Sequence, residues 1–363
     1  MLCYNYLYIT NILKKIRRDK MLEKFLANDI GIDLGTASVL VYVKDKGIVI
    51  REPSVVAIDT SEDKIIKIGR EAQQMLGRTP KNIVTVRPLK NGVITKYDVT
   101  LKMLQYFIRR ACGSTIIRPR VMICVPTGID ELQERAVIQA ANQAGARQTL
   151  LIEEPVAAAI GAGLDIDAPV GHLVVDIGGG TTDIAVISYG GAVVSKSIRV
   201  AGDKFDDAII TYLKNNYKIL IGERTAEMIK IKVGSVYDDT GDVKAIEVKG
   251  RDLVTKLPKT AMFSSKETLS ALMEPITAIL DAICDVIDRT PPELIADIYR
   301  NGIVLTGGGC QLRGLDKLIE RTTGIRTYVA KDPVSCVAIG TGKSLEKIPS
   351  NLGILERFLK KEK

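Results

Sequence analysis

The sequence has no run of the ~18–20 consecutive apolar residues that a helix needs to cross a bilayer. Its first thirteen residues, Met1 to Leu13, are uncharged but too short for a span. The basic cluster Lys14, Lys15, Arg17, Arg18 and Lys20 follows that apolar part, the reverse of a secretory signal. Histidine occurs once, as His172 beside Gly171, and is read as a residue that opens a strand. The six cysteines (Cys3, Cys112, Cys124, Cys284, Cys310, Cys336) contain no CxxC pair. Neither a zinc site nor a disulfide framework is supported, and the reduced thiols of a cytoplasmic protein fit best. The body of the chain also lacks an excess of one charge. There are 51 basic and 43 acidic residues, formally +8, and part of the surplus sits at the ends, with Lys360, Lys361 and Lys363 at the finish. A uniformly basic face is not indicated, and no nucleic-acid partner is expected.

What the chain does have is length and two glycine-rich turns that echo each other. Its 363 residues can hold two ordinary domains, and 46% hydrophobic with 26% charged residues is ordinary for a globular protein. The first turn reads Asp33-Leu34-Gly35-Thr36-Ala37-Ser38, between the apolar runs Ile30 to Ile32 and Val39 to Val43. The second reads Asp176-Ile177-Gly178-Gly179-Gly180-Thr181-Thr182-Asp183, between Leu173 to Val175 and Ile184 to Ile187. Each predicts a hairpin whose turn carries an acid and then small residues. Glycine lets backbone amides approach a phosphate with no Cβ in the way, and hydroxyls add donors. An aspartate there would repel phosphate directly, so a hydrated divalent cation between them is expected. Two such clamps predict two related half-domains closing on one nucleotide.

The rest of the pattern alternates strand and helix. Val121 to Val125, closed by Pro126, reads as a buried parallel strand. Asp130 to Ala144 has helical spacing and Gly145 stops it. A strand over Thr149 to Ile152 leads to Glu153-Glu154-Pro155 and an Ala-rich helix with proline in its first turn. The second half repeats the plan: a hairpin over 173–198, a helix over Phe205 to Asn216, charged segments to Pro258, a helix over Thr268 to Ile287, and a buried strand Ile303 to Leu305 ending in Thr306-Gly307-Gly308-Gly309. The stretch Val236 to Gly250 is polar and predicts no definite strand. The order argues for α/β architecture built by an old duplication. Domain I is placed at 29–168 with 332–350, carrying an insertion near 53–95. Domain II is placed at 169–331, with an insertion near 202–262. Residues 1–28 read as an N-terminal extension, with Met21 the expected natural start, and 351–363 as a basic tail.

The two Asp turns, the Glu153-Glu154-Pro155 strand end and the Thr306 to Gly309 turn occur in one order that resembles the actin superfamily of actins, DnaK-type chaperones and sugar kinases. The strings DIGIDLGTASVLVYVKDKGIVIREPSVVA from Asp29, LIEEPVAAAIGAGL from Leu151, VVDIGGGTTDIAVIS from Val174, IRVAGDKFDDAII from Ile198, IGERTAEMIK from Ile221 and GIVLTGGGCQLRGLDKLI from Gly302 resemble the bacterial MreB/Mbl family. The resemblance runs from about Asp29 to about Glu346. It implies an actin-like ATPase fold, with two duplicated domains and a nucleotide cleft between them, and ATP with Mg2+ as cofactors. Gly35, Thr36, Ala37 and Ser38 would line one side of the triphosphate, and Gly178, Gly179, Gly180 and Thr181 the other. Asp33 and Asp176 would orient magnesium waters. Glu154 would position the attacking water, helped by Thr181, because hydrolysis needs water aligned with the γ-phosphate. Taken alone, Glu154 reads as a carboxylate facing a helix N-terminus. Glu227 and Lys230 read alone as a surface ion pair at i, i+3; the resemblance puts them beside adenine and ribose. Gly307, Gly308, Gly309 and Cys310 would let the base approach the backbone.

The resemblance further implies a cytoskeletal ATPase that forms paired antiparallel protofilaments on the inner face of the cell membrane and serves the cell-wall elongation machinery. Ile354, Leu355, Phe358 and Leu359, flanked by Arg357 and lysines, could form a basic amphipathic helix, as could Lys14 to Phe25; a solvated tail fits the same residues. The family's membrane-insertion loop falls near Val93-Ile94, which read equally well as strand core. Two rival functions share the nucleotide fold. A small-molecule kinase needs an acceptor pocket, for which no signature is found. A chaperone ATPase needs a β-rich peptide domain, for which the chain leaves about 20 residues after Val337 to Leu345, the stretch that resembles the superfamily's second connecting region.

Overall fold

The computed structural model describes residues 29–113, 118–237 and 243–348. The first domain opens with an antiparallel meander of β1 (Ile30–Leu34), β2 (Ser38–Val43) and β3 (Gly47–Pro53). The chain then builds an insertion. β4 (Val56–Asp59), β5 (Lys64–Ile68) and β6 (Ile83–Val86) form a small sheet in the order β5-β4-β6. A hairpin of two-residue strands follows, β7 (Leu89–Lys90) and β8 (Val93–Ile94). After the helix Tyr97–Cys112, β9 (Arg120–Val125) lies parallel to β1. The helix Glu131–Gln143 then leads to β10 (Gln148–Glu153), parallel to β9. The sheet order is β10-β9-β1-β2-β3.

The second domain repeats this arrangement. β11 (His172–Ile177), β12 (Thr182–Ser188) and β13 (Gly191–Ile198) are the meander. The helix Gly202–Tyr212 opens an insertion containing β14 (Ile219–Leu220), the helix Glu223–Val233, β15 (Ala245–Asp252) and β16 (Pro258–Ser264). The helices Ser265–Asp288 and Pro292–Asn301 return the chain to β17 (Ile303–Thr306), parallel to β11. The helix Leu315–Thr323 and β18 (Thr327–Val329) complete the order β13-β12-β11-β17-β18. The final helix, Cys336–Lys347, crosses back onto β1.

Local chemistry explains the elements that frame the cleft. Every residue of β9 is buried, as a parallel strand covered on both faces requires. Asp130 caps the next helix by accepting from the Gln133 N–H at 2.8 Å. Ser264 and Glu267 form a reciprocal capping box that starts the long helix Ser265–Asp288. This helix begins three residues earlier than its apolar spacing predicts, because the cap sets the start. The helix expected over Phe205 to Asn216 starts at Gly202 and turns to π geometry over Leu213–Tyr217. Within the polar stretch after Val236, β15 forms by pairing with β16, a tertiary contact that local propensity does not report.

Each sheet has its own apolar core. A third, smaller core joins them: Cys124 of β9, Val156 to Ala159, Val174, Ala185 and Ile187 of the second sheet, and Val337. The helices Glu154–Ala162 and Cys336–Lys347 cross there almost backbone to backbone. A Cβ on Gly161 would stand 1.8 Å from the Cys336 carbonyl oxygen, and one on Gly340 1.8 Å from that of Ala157. Glu154 therefore starts a helix held rigidly between the two domains.

Candidate functional site

The carboxyl ends of β1, β10, β11 and β17 meet at one cleft between the sheets, the place where open α/β sheets receive ligands. Its volume is about 340 Å³. Asp33, Gly35, Thr36, Ala37, Ser38, Glu154, Asp176, Gly178, Gly179, Gly180, Thr181, Glu227, Lys230, Gly307, Gly308 and Gly309 all line it. Of the nucleotide-site residues singled out in the sequence, Cys310 alone is not in this wall. It is buried beneath, where its thiol donates to the Gly307 carbonyl at 3.0 Å.

The two turns are built alike. The Gly35 N–H donates to the Ser38 carbonyl at 3.1 Å, and the Gly178 N–H to that of Thr181 at 2.9 Å. They also touch across the cleft. A Cβ on Gly179 would lie 2.6 Å from the Ala37 Cβ, and one on Gly180 2.7 Å from Thr36 Oγ1. The acids stand on the strands rather than in the turns: Asp33 is in register with Leu40, and Asp176 with Asp183. Strand placement puts both carboxyls at the base of the cleft, beneath the turns.

Four carboxyls share that base, with Glu154, Asp176 and Asp183 buried and Asp33 half-buried. Burial pushes Asp33 up to about 7 against a hydrogen bond from the Cys124 thiol. Burial also lifts Asp176 to about 7, against the hydrogen bond from Thr306, and Asp183 and Asp33 add to the rise. Thr306 Oγ1 donates to Asp176 Oδ1 at 2.6 Å. Glu154 is pushed well above the usual carboxylate range, first by burial and then by the charges of Asp183, Asp176 and Asp33. Asp183 is raised by burial too, although the Thr127 N–H donates to its Oδ1 at 3.0 Å. Its Oδ2 is buried without a hydrogen-bond partner, and a proton held between Asp183 and Glu154 would satisfy it. Hard oxygen donors at this density fit a divalent cation such as Mg2+. No three acidic, Cys or His groups converge as a closed metal cage among the described residues, so the fit is to a cation held partly by water or ligand oxygens.

Other expectations change in detail. Lys230 does not pair with Glu227. Its Nζ donates to Asp206 Oδ2 and to the Gly202 carbonyl, each at 2.9 Å, because the helix Gly202–Tyr212 packs alongside. Gly307 and Gly309 line the cleft and are also required by packing: a Cβ would meet the Ile177 carbonyl oxygen at 2.3 Å or its Cγ2 at 2.5 Å. Gly308 has nothing within 4 Å of such a Cβ and is the one left open to a ligand. Val93 and Ile94 are half-buried in β8, and Ile94 packs on the first core. They are strand residues, because the Asn91-Gly92 turn folds inward and the Gly92 N–H donates to Thr36 Oγ1 at 2.9 Å. The amphipathic segments expected at Lys14 to Phe25 and Ile354 to Leu359 lie outside the described residues. Among the described residues no helix is long and apolar enough to cross a membrane.

Sequence reasoning misses Gln73, Arg87, Asp203 and Asp206, all of which line the cleft. Asp203 follows the Ala201-Gly202 turn of one of the quoted strings, which is a usable signal. Arg87 has none, being one arginine in a charged insertion.

A family model described as MreB/Mbl protein matches residues 27–352. The chain belongs to the MreB/Mbl family. It is 51% identical over 344 residues to the cell shape-determining protein MreB of Escherichia coli K12, covering 92% of this chain and 99% of that protein. It is 52% identical over 323 residues to the cell shape-determining protein Mbl of Bacillus subtilis 168, covering 89% and 97%. The crystal structure of MreB 5 of Spiroplasma citri bound to AMPPNP superposes with a TM-score of 0.84 at 39% identity, covering 88% of this chain and 97% of that one. A MamK double helical filament superposes with a TM-score of 0.76 at 21% identity, covering 89% and 100%, a likeness of fold. The MreB/Mbl chain described here thus has the actin-like fold, with mixed sheets flanked by helices in two domains.

Proposed function

We propose that this chain is an actin-like ATPase whose nucleotide cycle governs its assembly into filaments that determine cell shape. The observation that carries the reading is the contact of the two look-alike turns over a floor of carboxyls. The turns Gly35 to Ser38 and Gly178 to Thr181 hold the triphosphate from both domains, through the amides that do not close the turns themselves. Asp33 and Asp176 hold the waters of a magnesium ion, which neutralises phosphate charge. Glu227, Lys230 and Gly308 take the ribose and base. Glu154, at the first helical position after β10, accepts a hydrogen bond from the attacking water and aligns it with the γ-phosphate; Thr181 fixes the same water from the other domain. The nucleotide found in the Spiroplasma citri relative supports this use of the cleft.

The units are 29–168 with 332–350 and 169–331, packed together where the two crossing helices of the first meet the sheet of the second. Nucleotide bridging them biases their closure, and closure biases contact between subunits. Head-to-tail contacts that do not close into a ring make filaments. The filaments are paired antiparallel protofilaments, peripheral at the inner face of the cell membrane, where they organise the cell-wall elongation machinery. The kinship with proteins named cell shape-determining supports that role.

Glu154→Ala tests the reading. Phosphate release should fall at least about a hundredfold, while Mg-ATP binding and assembly on lipid, seen by electron microscopy, persist. Unchanged phosphate release would remove Glu154 from its assigned place.

A further inference from the structure

We propose that Arg87 is a positioning residue that retains bound nucleotide by latching the mouth of the cleft through Asp203 and Glu223. The inference rests on the nucleotide-site reading above. Arg87 lies between β6 and β7, so its backbone belongs to the first domain. Its Nη1 stands 3.5 Å from Asp203 Oδ1 and its Nη2 3.8 Å from Glu223 Oε2. Those acids sit in the first turns of two helices of the second domain, Gly202–Tyr212 and Glu223–Val233. One planar guanidinium thus spans the cleft and divides its two arms between two helices, a geometry that lysine cannot reproduce.

Arg87 and Lys230 are the cations in the cleft wall. Lys230 is committed to Asp206 and the Gly202 carbonyl at hydrogen-bond distance. Arg87 is held more loosely. Both of its contacts exceed a normal charge-assisted hydrogen bond, and 28% of its side chain is exposed. A pair like that opens readily, which suits a closure that must be undone in every cycle.

Both ends of the latch are tied to the phosphate turns. The Asp203 N–H donates to the Gly179 carbonyl at 2.7 Å, and the Gly202 N–H to that of Gly178 at 3.2 Å. On the other side, a few residues beyond Arg87, Asn91 (φ 51°) and Gly92 (φ 75°) form the tight turn of the β7–β8 hairpin. The Gly92 N–H reaches Thr36 Oγ1, and Asn91 backbone fills the space beside Gly180, 3.0 Å from where a Cβ would stand. The segment from Arg87 to Gly92 is therefore one strap that touches both phosphate turns and both acids. A nucleotide leaving the cleft must part the domains and break the Arg87 pairs.

Arg87 could instead serve the phosphates directly, and that use predicts the opposite response. Removing its acidic partners would free the guanidinium and slow nucleotide release.

The test is stopped-flow release of a fluorescent N-methylanthraniloyl ADP with Mg2+ from the full chain, chased with excess ADP. Arg87→Ala should release it about three- to tenfold faster at low salt. Asp203→Asn combined with Glu223→Gln should do the same, and 0.5 M salt should shrink both differences, since such pairs are screened. Arg87→Glu combined with Asp203→Lys and Glu223→Lys, which reverses all three charges, should recover most of the wild-type rate. Release that is unchanged or slower in the double acid variant, or no recovery in the charge swap, overturns the latch. If Arg87→Ala lowers the melting temperature of the nucleotide-free protein, the acid variants, which keep the guanidinium, still decide. Wild-type protein that binds no labelled ADP would instead sink the nucleotide-site reading on which the latch depends.

Discussion

Gly179 faces Ala37 across the cleft so closely that a Cβ on the glycine would stand 2.6 Å from the alanine Cβ and 3.1 Å from its amide nitrogen. The two residues belong to different domains and to matching turns. Gly179 does not have the left-handed backbone that only glycine tolerates. Its lack of a side chain is therefore a demand of closure, with no role in local folding. Gly179→Ala should leave the melting temperature of the nucleotide-free protein within a few degrees. It should weaken Mg-ATP binding about tenfold or more, because the turns can no longer meet. Ala37→Gly in the same chain should restore part of the affinity. Titration calorimetry on the three proteins measures both effects; equal affinities would show that the turns do not close on the ligand.

The carboxyls at the base of the cleft make a pH prediction with a definite sign. Asp33 and Asp176 are raised from an ordinary 3.8 to about 7 in the folded protein. Between about pH 4 and 7 the folded chain then binds more protons than the unfolded one. Stability falls as pH rises through that window and levels off above it. The nucleotide-free protein should melt lower at pH 8 than at pH 5.5. Asp33→Asn should recover on the order of a few kcal/mol at pH 8 and about half as much at pH 5.5, where the unfolded carboxyl is already ionised. Mg-ADP should flatten the profile of the wild type, since a cation favours the ionised carboxyls. Scanning calorimetry at the two pH values is the check, and a wild type more stable at pH 8 without ligand would contradict it.

Thr181 is buried at the end of the second turn, and its carbonyl already closes that turn. Its hydroxyl stands beside Asp183, which it hydrogen-bonds, and in the proposed mechanism it also holds the water that Glu154 aligns. Thr181→Val keeps the shape and removes the donor. Phosphate release should fall roughly tenfold to a hundredfold, with the dissociation constant for Mg-ATP changed less than threefold. A loss carried wholly by binding would mean that Thr181 serves the phosphates alone.

Much of this architecture is legible in the sequence because it rests on local signals. Apolar runs such as Val121 to Val125, broken by Pro126 or by glycine, locate the sheet strands and the turns between them. What stays hidden depends on partners far away in sequence. Lys230 reads as the mate of Glu227 at i, i+3, yet takes Asp206 from a neighbouring helix. Arg87 reads like any surface arginine until the fold sets it opposite Asp203 and Glu223. β15 is polar enough to pass for a loop and exists because β14 and β16 flank it. The Thr306 to Gly309 turn is visible as a glycine run, but that two of its glycines are also required by Ile177 is not.

The crossing of the helices Glu154–Ala162 and Cys336–Lys347 offers a separate test, of stability and of catalytic geometry together. Gly340 is helical and fully compatible with alanine in isolation, where the change would even favour the helix. In the fold, a Cβ there would stand 1.8 Å from the Ala157 carbonyl oxygen and 2.9 Å from the Gly161 amide nitrogen. Backbone on both sides leaves nothing flexible to yield, so the helices must separate. Gly340→Ala should cost about 2 kcal/mol or more by overpacking. Because Glu154 begins the displaced helix, phosphate release should fall even at temperatures where the variant stays folded. Lys343→Ala, at an exposed position on the same helix, is the control and should change neither quantity appreciably. Urea melts with phosphate-release assays on the two variants separate the outcomes. A Gly340→Ala protein as stable and active as the control would show that the crossing is looser than the structure has it.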